Sequence, residues 1–296
     1  MNLTRRPAWF RLTPWLLLAP SAVFLIAFTY WPVLKVAAAA LTVGGFGAGA
    51  RPGLGNFGRL FGDPHFFQAV RNNLIYAAGT IVPSLVLALG FAVALRESSR
   101  FAVVLRTVIA LPLLIPLVAA ASLFIFIFLP GAGLLDHYLA SFWPSLGETN
   151  FLGDPSLALG SIIAITVWKN TGYYMLFFLA GLAGIPDELM DAAKIDGSGR
   201  VQRFVYVTLP LLGPTLAFVL VIALLNALTQ VDHVIVMTMG GPSDSTMLLL
   251  YYIYQQAHQN YDPGLAAAAT VVSVAFLFAL STMSLRSLER GIHYES

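Results

Sequence analysis

Cysteine is absent from the 296-residue chain, which excludes a disulfide scaffold, a thiol nucleophile and a thiolate metal site. Charge is scarce as well: Asp, Glu, Lys and Arg make up 10% of the residues against 58% hydrophobic, where a soluble domain carries roughly 25% charged. The histidines, His65, His137, His233, His258 and His293, stand far apart, and neither H-E-x-x-H nor the phosphate loop G-x-x-x-x-G-K-[ST] occurs. A formal charge of +2, scattered in short groups, supplies no basic stripe for nucleic acid. These absences leave a membrane chain with no resident cofactor, metal or catalytic group.

Long apolar runs fill the chain instead. A bilayer core takes about 20 mostly apolar residues per helix, and six such runs lie at about 14–38, 68–95, 102–129, 157–182, 211–236 and 264–285. None alternates apolar and polar residues as a membrane barrel does. The fold class is therefore all-α and polytopic: a short tail over 1–13, one membrane domain over 14–285, and a tail over 286–296. A cleaved signal peptide is the alternative for the N-terminus, with "KVAAAALT" offering small residues, but the run from Trp15 to Leu34 exceeds the roughly 7–15 residues of a signal core.

Lys and Arg favour the cytoplasmic side. They cluster before the first span (Arg5, Arg6, Arg11), after the second (Arg96, Arg100, Arg106), after the fourth (Lys194, Arg200, Arg203) and after the sixth (Arg286, Arg290). Both termini are expected in the cytoplasm, with longer external loops at about 39–67, 130–156 and 237–263.

One cytoplasmic stretch, "DELMDAAKIDGSGRVQRFVYVTLP", carries seven charged residues between Asp187 and Pro210. Pro186 can open a helix, and Asp187, Glu188 and Asp191 suit its positive end. Leu189, Ala192, Ala193 and Asp196 fall on one face, a face with room for close approach. Gly197-Ser198-Gly199 breaks the pattern, and a second helix presents Val201, Phe204, Val205, Thr208 and Leu209 before Pro210. Periodicity alone leaves open a hairpin that merely rests on the membrane surface.

The identities go further. Asp191, Ala192, Ala193, Gly197, Val207, Leu209 and Pro210 resemble the EAA loop of ABC importer permeases, and "WLLLAPSAVFLIAFTYWP", "VWKNTGYYMLFFLAGL" and "MGGPSDSTMLLLYYIYQQ" resemble the carbohydrate-uptake members along the whole chain. Asp191 departs from the usual glutamate by one methylene, which shifts any salt bridge made there. The resemblance implies that the loop over 186–210 docks as a coupling helix on an ATP-binding cassette subunit, with Asp191, Ala192, Ala193, Gly197, Leu209 and Pro210 at the contact. ATP and Mg would then sit on that partner and hydrolysis would occur there. One loop per chain implies a second, homologous permease for two ATPase subunits, and an extracytoplasmic solute-binding protein on the outer side. The setting implied is a bacterial or archaeal inner membrane. Within the family the chain looks most like permeases of glycerol-3-phosphate importers, whose pattern several saccharide permeases share.

Polar groups at membrane depth are functional candidates by default. Lys169, Asn170, Tyr173 and Tyr174 mark span four, and Asn226 and Gln230 mark span five. For Lys169 the alternative is snorkelling toward an interface; for Asn226 it is an interhelical hydrogen bond. Lys35 reads as an interfacial anchor. An ion-coupled carrier would leave acidic groups in the spans and gives the 186–210 loop no role; an intramembrane enzyme lacks its catalytic pair.

Overall fold

The computed structural model describes residues 8–44, 50–97, 99–142 and 149–289. In chain order the helices are α1 (Ala8–Leu25), α2 (Trp31–Ala40), α3 (Gly55–Phe61), α4 (Pro64–Ala94), α5 (Arg100–Ala110), α6 (Leu117–Ile127), α7 (Leu134–Phe142), α8 (Ala158–Ala183), α9 (Asp187–Ile195), α10 (Arg200–Arg203), α11 (Leu209–Leu211), α12 (Gly213–Thr229), α13 (Asp232–Met237), α14 (Leu249–Tyr254) and α15 (Pro263–Glu289). Among the described residues, five stretches are long and apolar enough to cross a membrane, or six if a bent pair counts as one span. The helix of the first span starts at Ala8, within the stretch read as a tail, and α15 runs to Glu289; Arg5, Arg6, Arg290 and His293 lie outside the described residues.

The chain divides into two compact units, one made of the residues up to Gly62 with Gln255–Val272, the other of Asp63–Tyr254 with the rest. In the first, α1 and α2 are joined by a π turn over Ile26–Tyr30. Pro32 follows in the first turn of α2, where it offers no N–H to the preceding turn, and a widened turn absorbs the mismatch. The amine of Lys35 lies 5.5 Å from the Trp31 ring centre. The connection after α2 is built rather than loose: strands Thr42–Val43 and Arg51–Pro52 pair antiparallel. The Asn56 amide then donates to the carbonyls of Ala39 (3.3 Å), Ala40 (3.2 Å) and Thr42 (2.9 Å), satisfying the open end of α2. Arg59 pairs with Asp262. Burial alone would raise the Asp262 carboxyl, but hydrogen bonds from Arg59 and the Leu265 N–H outweigh it and hold it below the usual range.

The second unit centres on α4 packed along α8, with α12 against both. Small residues set the approach: a Cβ on Gly79 would lie 2.8 Å from Ile163, and one on Gly181 would lie 2.5 Å from Thr215 Oγ1. Tyr76, Ile162, Ile165, Tyr174, Met175 and Phe178 fill the core. The Arg106 guanidinium closes the turn between α4 and α5 by donating to the carbonyls of Leu95 (2.7 Å from Nε) and Glu97 (3.0 Å).

The third apolar run corrects the expectation of one continuous helix. It forms α5, a 3-10 turn over Leu111–Leu114, and α6, with the two arms bent by 100°. The cause is a pair of prolines one turn apart. In a continuous helix the carbonyl of residue 112 accepts from the N–H of residue 116, and residue 116 is Pro. Ile115, held extended before it (ψ 123°), shows the bias that proline imposes on its predecessor.

Candidate functional site

The segment 186–210 is a helix, a turn and a second helix. In α9, Asp187 and Glu188 occupy the first turn and Lys194 the last, matching the helix dipole at both ends. The helix stops where Gly197 takes φ +78°. Ser198 N–H reaches back to the Ala193 carbonyl (3.0 Å) and Gly197 N–H to that of Lys194 (3.1 Å), the pair of bonds that defines a Schellman cap. The Gln202 side chain accepts from Gly199 N–H (3.0 Å) and starts α10, which widens into a π turn over Phe204–Thr208 before Leu209 and Pro210. Lys194 donates to Asp191 at 2.7 Å, and that hydrogen bond and charge hold the Asp191 carboxyl below its ordinary range.

No residue of α9 or α10 is buried by its own chain, although Ile195 (86%), Val201 (76%) and Tyr206 (76%) are large apolar side chains left exposed. Ala192 is exposed and Ala193 half-buried. Two ties lead back to the body of the second unit or to the following turn: Arg96 lies 3.6 Å from Asp187, and Thr208 Oγ1 donates to Met190 Sδ at 3.9 Å. The turn therefore carries apolar side chains that its own chain leaves uncovered.

The polar groups of spans four and five separate into three situations. Lys169 is half-buried, and its amine donates to the Pro112 carbonyl (3.1 Å) and to that of Ile115, the two backbone acceptors at the break in span three. Asn170 is buried; Tyr173 is half-buried and packs its ring 5.0 Å from that of Phe177. The Asn226 amide donates to Tyr174 OH at 3.2 Å, so these two join α12 to α8 as the interhelical alternative anticipates. Gln230 caps the end of α12, its N–H donating to the Asn226 carbonyl at 3.0 Å, and its Oε1 is buried without a hydrogen-bond partner among the described residues.

Further polar residues join distant parts of the second unit. Asn72 donates to the carbonyls of Asp244 (2.7 Å) and Met247 (3.1 Å), and the neighbouring Asn73 accepts from Leu249 N–H (3.3 Å). His65 Nδ1 meets Asp244 at 2.8 Å. Together they pin the 239–249 loop, in which Met239, Ser243 and Asp244 have positive φ, to the start of α4. One turn on, Tyr76 OH sits 3.0 Å from both Thr166 Oγ1 and His233 Nε2. His233 is fully buried. The available signal was "RNNLIY", two amides and a phenol opening an apolar run.

Residues 85–294 match the family described as "Binding-protein-dependent transport system inner membrane component". The sn-glycerol-3-phosphate transport system permease protein UgpA of Escherichia coli O157:H7 is 33% identical over 288 residues, 96% of this chain and 97% of that one. The probable ABC transporter permease protein YurN of Bacillus subtilis is 32% identical over 285 residues, 95% and 97% of the two chains. Among solved structures, a chain of a bacterial ABC transporter involved in the import of the acidic polysaccharide alginate superposes with TM-score 0.83 at 24% identity, covering 95% of this chain and 98% of that one. A second alginate transporter structure, in complex with an alginate pentasaccharide-bound periplasmic protein, gives 0.82 at 24% identity, over 94% and 96% of the chains. At this identity the structural likeness speaks to fold.

Proposed function

The chain belongs to the family of binding-protein-dependent transport system inner membrane components, and from that membership we infer that it forms half of a translocation path driven by a separate ATPase. It is a permease of an ABC importer for carbohydrate-class solutes, without a catalytic role of its own. The observation that carries the coupling assignment is the Schellman-capped turn at Gly197 with Ile195, Val201 and Tyr206 exposed around it. Nothing in such a turn needs apolar side chains in water, and a cleft on an ATP-binding cassette subunit would cover them. ATP and Mg belong to that subunit. A second homologous permease completes the path, and a solute-binding protein delivers the ligand outside, a role supported by the periplasmic protein bound to the alginate transporter. The distribution of Lys and Arg supports cytoplasmic termini.

Glycerol-3-phosphate or its diesters is the solute favoured by the relatives. A mono-, di- or oligosaccharide is the second reading, and one observation favours it. Lys169 is the one Lys or Arg of spans four and five, and it already serves two backbone carbonyls, so what those spans leave for a solute is amide and hydroxyl groups such as Gln230 and Tyr173. Purification of this chain from its native membrane should bring down an ATP-binding cassette subunit and a second permease, and ligand titration of the cognate binding protein should saturate with a phosphorylated glycerol or with a sugar. A chain that purifies alone and transports without ATP would overturn the importer assignment.

A further inference from the structure

The motif Trp168-Lys169-Asn170-Thr171-Gly172 marks span four in the sequence, yet neither the coupling segment nor the solute accounts for it. In the structure three of its residues grip the broken span at three successive places. Before the break, Gly172 lets the backbone of α5 lie directly on α8: a Cβ there would fall 2.0 Å from the Ile109 carbonyl oxygen and 2.8 Å from Ala110 Cα. At the break, Lys169 donates to the carbonyls of Pro112 and Ile115. After it, the Trp168 indole meets the Phe124 ring of α6 edge-on at 5.1 Å. Positions 169 and 172 are three apart, hence on one helix face.

Two costs cancel at this point. The Pro112 carbonyl also accepts from the Ile115 N–H at 3.2 Å, so it is the Ile115 carbonyl that would be expensive at bilayer depth without the amine, and an ammonium there is expensive unless it faces acceptors. The last carbonyls of a helix also carry its negative end. Packing does not fix the corner alone, because an apolar cavity of about 630 Å³, lined by Val108, Pro112, Val167, Trp168 and Thr171 among others, opens beside it.

We propose that Trp168, Lys169 and Gly172 form a cradle that holds span three bent, that transport needs the bent form, and that Lys169 is accordingly a positioning residue and not a ligand for solute charge. The uptake consequence rests on the importer reading; the geometric one does not. The test exploits the natural lack of cysteine. Spin labels on cysteines at Val104 and Leu123, both exposed, one on each arm, report the bend. If the run were straight, the nineteen-residue separation would span about 28 Å of helix axis; the 100° corner brings the labels closer.

In the assembled importer, the parent chain should give the short distance. Lys169→Met should add a longer population and lower the maximal uptake rate about tenfold or more, the scale of losing a charged hydrogen-bond donor. The concentration of loaded binding protein at half-maximal uptake should stay the same, as should copurification of the ATPase. Lys169→Arg should keep the short distance and part of the rate. A short distance in Lys169→Met overturns the proposal, whether uptake is full or shows a raised half-saturating concentration, the latter marking Lys169 as a solute ligand. Should Lys169→Met fail to assemble, Lys169→Gln, which keeps two N–H donors on a neutral side chain, decides: mixed distances with a partial rate support the cradle, and the parent distance with lost uptake overturns it.

Discussion

At the scale of single residues, Gly197 and Asp191 separate docking from folding. Gly197 adopts φ +78° and a Cβ there would meet nothing within 4 Å, so its own chain resists substitution only through the backbone, by about 1–2 kcal/mol for most residues. Asp and Asn tolerate this conformation better than others. Gly197→Asp should therefore leave the spans inserted and the second permease bound, while weakening ATPase copurification and stopping uptake, because what its side chain obstructs is the partner. Asp191→Ala should act in the same direction more mildly. Lys194 holds the Asp191 carboxyl below its ordinary range, so the pair contributes above the normal carboxyl pKa and is lost only as pH falls through the lowered one. Coupling measured in sealed membranes should accordingly be unchanged from neutral to mildly acidic cytoplasmic pH. Full ATPase binding and uptake by Gly197→Asp would return the segment to a hairpin resting on the membrane.

At the scale of elements, helix contacts are decided by where glycine is obligatory. Gly160 and Gly172 lie on the same helix, α8, but a Cβ on Gly160 meets nothing within 4 Å whereas one on Gly172 strikes the backbone of α5. Gly172→Ala should destabilise the purified protein by about 1–3 kcal/mol, as overpacking does, and Gly160→Ala should leave its thermal midpoint unchanged; equal midpoints for the two variants would remove the close approach of α5 and α8 from the account. Spans and the 186–210 turn were legible because composition over 20 residues and local cap chemistry act within one stretch of chain. The corner in span three was half legible: Pro112 and Pro116 stand in plain view, four apart, but apolar composition reads straight through them. The partner of that corner was not legible, since Lys169 lies 54 and 57 residues from the carbonyls it serves, and no periodicity links positions so distant. Asn72 and His233 were missed for the same reason; their partners lie 172 and 157 residues away.

At the scale of the whole molecule, sidedness is the first quantity to measure. Cysteines at Ser198 and Ser243 should label from opposite sides of the membrane, Ser198 from the cytoplasm, and labelling of both from one side would break the six-span order. The 186–210 segment adds a consequence for how such transporters diverge. None of the residues of its two helices is buried by its own chain, while the 239–249 loop is stitched to α4 by Asn72, Asn73 and His65. The first is therefore exchangeable and the second is not. If the segment docks the ATPase as proposed, recombination between duplicated permeases at Pro186 and Pro210 would exchange one ATPase partner for another, whereas a crossover inside 239–249 would strand Asn72 and Asn73 beside a foreign loop.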